Sequence, residues 1–137
     1  MEYVIGIAAA TAVGLFATVV GFDKERGFYP VVLIVIAALY LLFAAMANST
    51  ASLFAETIPA LVFVTLAVIG FRKRAPWFVV TGLALHGVFD FFHHAVIENP
   101  GVPAWWPGWC LSYDVVAATY LGALILFRRP SNADPNP

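Results

Sequence analysis

Apolar residues dominate five stretches of the chain, each bounded by charge, glycine or proline, at about residues 2–22, 28–47, 52–71, 76–97 and 109–127. A hydrocarbon core of about 30 Å needs roughly 20 apolar residues in an α-helix, so every stretch is long enough to span. The pattern predicts an all-α integral membrane bundle of five transmembrane helices over residues 1–129. Residues 130–137 are polar and proline-rich and predict a disordered cytoplasmic tail.

The charged positions between the stretches orient this bundle. Lys24 and Arg26 fall in the first connection, Arg72, Lys73 and Arg74 in the third, and Arg128 and Arg129 after the fifth stretch. Lys and Arg collect on the cytoplasmic side of a membrane. Five helices place all seven basic residues on one side, whereas one helix fewer would split them. This predicts an outside N-terminus and a cytoplasmic C-terminus. Trp105, Trp106 and Trp109 then mark the outer boundary, and Tyr29 and Trp77 the inner one, as in aromatic belts. The same tryptophans suit a cationic or sugar headgroup, a second use compatible with anchoring. The first stretch has no basic leader and is long enough to span, which predicts a retained helix rather than a cleaved signal.

Composition excludes a soluble domain, because 62% of residues are hydrophobic and 11% charged. With a net charge of −1 and no extended basic patch, nothing predicts a nucleic-acid partner; the expected partner is the lipid bilayer. The single cysteine, Cys110, has no internal disulfide partner and reads as a small buried side chain ahead of a metal ligand or an interchain bridge. Gly6, Ala10, Gly14 and Thr18 recur every four residues and form a packing seam, used either within the chain or in a homo-oligomer. Pro59 predicts a kink in the third helix, three residues after Glu56.

Ionisable residues inside the apolar stretches point to a site. At 100° per residue, His86, Asp90, His93 and His94 project at about 0°, 40°, −20° and 80°, within one sector of roughly 100°. Such groups face a protein interior or a water-filled cavity rather than lipid. Measured from helix midpoints, His86 lies near the midplane, with Asp90 about 6 Å, His93 about 10 Å and His94 about 12 Å toward the outside. Glu56 on the third helix and Asp114 on the fifth fall at about 8 Å and 6 Å on the same side. Imidazole and carboxylate donors suit Zn²⁺ or non-haem iron. The expected ligands are His86, Asp90, His93 and His94, with Asp114 or Glu56 as a further ligand, an orienting group or a general base. A metal-bound water could then attack a lipid or lipid-linked ester, amide or phosphoester at the outer leaflet. A structural polar core or a proton or ion path uses the same residues, although the inner half of the bundle has no comparable series of ionisable groups. Bis-imidazole haem ligation would need a second chain, because His86 and His93 share a helix.

The run HGVFDFFHH from His86, followed by ENPGVPAWWPGWCLSYD, resembles an uncharacterised family of small bacterial integral membrane proteins. The resemblance implies a short multi-pass protein of the bacterial inner membrane, with His86, Asp90, His93, Trp106, Pro107, Tyr113 and Asp114 as signature residues. A weaker likeness is to membrane-embedded metal-dependent hydrolases of the alkaline ceramidase-like group, in which His and Asp hold zinc and a serine assists. Ser112 compares with that serine. This chain is shorter, has fewer helices and concentrates its histidines on one of them.

Overall fold

A computed structural model describes residues 1–127 of the chain. The tail expected at 130–137, and Arg128 and Arg129, lie outside the described residues. The described chain folds as α1 (Glu2–Val20), a short 3₁₀ turn (Phe22–Lys24), α2 (Phe28–Met46), α3 (Thr50–Arg72), α4 (Trp77–Val96) and α5 (Trp106–Phe127), with no strand among the described residues. All five α-helices are long and apolar enough to cross a membrane, the architecture of a multi-pass membrane protein.

Local chemistry explains where helix ends depart from the apolar pattern. Helix α3 starts at Thr50 because Ser49 caps it, its Oγ accepting the Ser52 backbone N–H at 3.3 Å. Helix α5 starts at Trp106, three residues before the apolar pattern suggests, with Pro107 in the first turn where its missing N–H costs nothing. Helix α3 runs through Pro59 as one continuous element.

Helices α2 and α3 both end in a left-handed turn. At the end of α2, Asn48 has φ 52°, and the Ser49 N–H reaches back to the Ala44 carbonyl at 3.1 Å. At the end of α3, Arg74 has φ 53°, and the Ala75 N–H reaches the Gly70 carbonyl at 3.0 Å. Glycine or asparagine normally fills this position; the left-handed conformation costs other L-residues roughly 1–2 kcal/mol.

Helix α5 is the spine, with α1 and α4 packed along it, while α2 packs on α3 and α3 on α4. Lipid tails are as apolar as leucine, so these contacts depend on close approach through small residues. The seam on α1 is used within the chain. Gly6, Ala10, Gly14 and Ala17 are buried, a Cβ at Gly6 would run into the Trp109 carbonyl and Ser112 Oγ, and one at Gly14 would meet the Tyr120 ring at 3.2 Å. Thr18 is exposed at the edge of the seam, its hydroxyl 2.7 Å from that of Tyr120. Gly87 lets α4 approach α5 next to His86, since a Cβ there would lie 3.4 Å from the Asp114 Cβ. Gly101 has the same effect on the α4–α5 connection, where a Cβ would collide with the Phe43 carbonyl of α2.

Candidate metal centre

The close α4–α5 approach at Gly87 sets His86 and Asp90 against Asp114 and Cys110. His86 Nδ1 is 2.7 Å from Asp114 Oδ2 and 3.3 Å from Asp90 Oδ2. The Cys110 thiol lies 4.0 Å from Asp114 Oδ2, one helical turn away on α5. One donor atom from each of His86, Asp90, Cys110 and Asp114 falls within 4.8 Å of all the others. None of the four is more than 1% exposed.

A second pair lies further along α4. His93 Nε2 is 2.7 Å from Glu56 Oε1 of α3, and Asn99 Nδ2 donates to the same oxygen at 2.9 Å. Asn99 also donates to the Tyr40 backbone carbonyl at 3.1 Å, which ties the α4–α5 connection to α2. Seven residues of rise, about 10 Å, separate His93 from His86 along the helix axis, which explains why they join different acids.

Tyr40 joins the two groups. Its hydroxyl donates to Asp90 Oδ1 at 2.6 Å, and its ring stacks on that of His93 at 4.1 Å. Phe63 packs edge-on against His86 at 4.7 Å, and Phe89 packs against both imidazoles, at 5.9 Å from His86 and 5.4 Å from His93. The polar groups are therefore walled by aromatic rings.

Electrostatics constrains what this arrangement can hold. Glu56, Asp90 and Asp114 are three buried carboxylates accompanied by two buried imidazoles, His86 and His93. The described lysines and arginines fall in the α1–α2 connection or around the end of α3, away from these groups. With all three carboxylates ionised and both histidines protonated, the set still carries one net negative charge. Uncompensated charge is costly in so dry a place, so the set must retain a proton on an acid or take up a cation. Two carboxylates face one imidazole nitrogen, which has at most one proton to give. Asp114 Oδ1, Asp90 Oδ2 and His86 Nε2 are buried without a hydrogen-bond partner. An ion that replaced the shared proton would use the same donors.

The sequence-predicted residues divide accordingly. His86, Asp90 and Asp114 come together, whereas His93 and Glu56 form a separate pair. The structure does not bring His94 to the site. It is exposed, its ring edge-on to that of His93 at 5.6 Å, as its place at the margin of the helical sector allows. Glu98 is likewise exposed and contributes its backbone carbonyl to Ser52 Oγ at 2.8 Å. Cys110 is buried, as expected of a small side chain, yet its sulfur also belongs to the donor group. Sequence reasoning missed Tyr40 and Asn99. Tyr40 carried a usable signal, a lone phenol in an apolar run, since a buried hydroxyl needs a partner. No protein-family model, curated protein or solved structure matches the chain.

Proposed function

We propose that this chain is a metal-binding protein of the bacterial inner membrane, holding one divalent ion, zinc or ferrous iron, between α4 and α5. The observation that carries this reading is the buried group of His86, Asp90, Cys110 and Asp114, with donor atoms within 4.8 Å of one another. A thiolate, an imidazole and two carboxylates supply the charge and the mixed soft and hard donors that such ions prefer. A dication would offset the Asp90 and Asp114 carboxylates, which no described lysine or arginine neutralises.

Four protein donors make a closed tetrahedral site, while a hydrolytic ion keeps a position for water. The donors' burial and number therefore favour holding an ion over hydrolysing a lipid-like substrate at the outer leaflet. In the topology proposed here the N-terminus is outside. Support comes from Lys24, Arg26 and Arg74, which line one cavity and so share one end of the bundle. Reporter fusions at each connection test that orientation.

The metal reading is tested by loading chelator-washed, detergent-purified protein with zinc or ferrous iron and measuring metal content by mass spectrometry. Wild type should retain about one equivalent, His94→Ala the same, and a monodisperse Asp90→Asn, Asp114→Asn double variant none. Equal retention by wild type and the double variant, or none by wild type after loading, overturns it.

One observation favours a second reading, a proton-holding network. Short contacts link Glu56 to His93, Tyr40 to Asp90 and His86 to Asp114, and relays of this composition occur in membrane pumps. That reading predicts proton flux in reconstituted vesicles without added metal, lost in His86→Gln.

A further inference from the structure

The basic end of the bundle carries a cavity that the metal reading does not use. It has a volume of about 330 Å³, and Lys24, Arg26 and Arg74 contribute to its wall beside apolar Val79, Leu121 and Leu124. Asp23 and Glu25 line it too, leaving the described wall with three cations against two carboxylates. Asp23 is engaged by the Thr18 hydroxyl at 2.7 Å. Arg72 and Lys73 precede Arg74 in sequence and add to the local positive charge.

One of the cations is held in place. The Arg26 guanidinium lies over the Phe71 ring, 5.6 Å from its centroid. Arg74 occupies the left-handed position that ends α3, at φ 53°, where glycine would close the same turn without strain. Backbone strain retained at a cavity wall is a reason to ask what the side chain does there.

An apolar groove begins beside this cavity and shares Glu25 and Phe71 with it. The groove runs along α2 past Val31 and Val35 to Trp109 and Tyr113 of α5, with a volume of about 710 Å³. From Phe28 to Leu39 it follows about 17 Å of helix, the scale of an acyl chain rather than of a soluble anion. The groove alone cannot select a lipid, because hydrocarbon tails surround every spanning helix. Selection requires the headgroup, and the cavity supplies guanidinium groups suited to a phosphate.

We propose that this cavity and groove bind one acidic phospholipid, its phosphate at Arg26 and Arg74 and one acyl chain along α2 toward Trp109. The site is independent of the metal centre and stands whether or not an ion binds there.

The test is native mass spectrometry of the full chain, delipidated in detergent and titrated with phosphatidylglycerol or phosphatidylcholine of matched acyl chains. Wild type should bind one phosphatidylglycerol at least about tenfold more tightly than phosphatidylcholine, a difference of about 1.4 kcal/mol. Arg74→Gly removes the guanidinium while relieving the strained turn, so it should fold at least as well as wild type and lose the preference. Arg26→Gln should weaken it similarly, and Lys73→Gln, outside the described wall, should not. Equal affinity for the two lipids overturns the proposal, as does an unchanged preference in the Arg74→Gly, Arg26→Gln double variant. An equal loss in Lys73→Gln would mean diffuse surface charge. Displacement of the bound lipid by millimolar inorganic phosphate would mean a free-anion site. Either result also overturns it.

Discussion

The Tyr40 hydroxyl donates to Asp90 Oδ1 at 2.6 Å, across the space between α2 and α4. Helix α2 contributes no carboxylate or imidazole to the site, and this bond ties it to the polar side of α4. The same ring lies at 4.1 Å on His93, and one side chain therefore spans the interval between the two histidines. Removing only the oxygen separates these roles.

Tyr40→Phe keeps the stacked ring and leaves the buried Asp90 Oδ1 without its donor. An unsatisfied buried acceptor costs about 1–3 kcal/mol. The variant should fold and melt at a lower temperature than wild type in detergent, and Tyr40→Leu, which also loses the stack, should melt lower still. Equal melting of Tyr40→Phe and wild type would mean that the bond contributes nothing to assembly.

The fold was legible because the length of each apolar stretch obeys the thickness of a bilayer, which acts on every spanning helix alike. The polar stripe on α4 was legible for the same reason. Partner choice was not, since it depends on how closely two helices approach. Gly87 settles that for His86 and Asp114, but a glycine in sequence does not name the residue it admits. Asn99 was hidden differently. Within the run Glu98, Asn99, Pro100, Gly101 it reads as a turn former, and only the folded connection shows its amide reaching Glu56.

That connection depends on Gly101. Its N–H donates to Asn99 Oδ1 at 3.2 Å, and a Cβ on it would strike the Phe43 carbonyl, a backbone atom with little freedom to yield. Gly101→Ala should push the loop off α2 and take Asn99 from Glu56, destabilising the protein by about 1–3 kcal/mol, the range for overpacking. Gly14→Ala is the comparison, because its Cβ would meet the side-chain ring of Tyr120 at 3.2 Å, which can shift. Thermal melts of the two variants should rank Gly101→Ala as the more damaging; the reverse order would mean the loop is free to move.

Cys110 separates a ligand from a small buried side chain. Cys110→Ser nearly preserves volume but replaces a soft sulfur with a hard, weakly acidic oxygen. Zinc affinity should fall by more than about tenfold while manganese, which favours oxygen donors, changes less. Competition titrations with a chromophoric chelator read both. Unchanged zinc affinity would leave Cys110 as core packing alone and reduce the donor set to His86, Asp90 and Asp114.

Glu56 and His93 provide the control for where an ion sits. Their contact at 2.7 Å resembles the one between His86 and Asp114, so chemistry alone does not choose between the pairs. Convergence does, since a second carboxylate and a thiol reach only the His86 pair. Glu56→Gln keeps an oxygen to accept from Asn99 and His93 while removing the charge. It should weaken a nearby dication through the lost attraction yet leave one equivalent bound at saturation, whereas Asp114→Asn should lose stoichiometric retention. Because both variants remove one buried carboxylate charge, metal content at saturation separates a donor from a distant charge more cleanly than affinity. Loss of the ion in Glu56→Gln, with retention in Asp114→Asn, would move the centre to α3 and the C-terminal turn of α4.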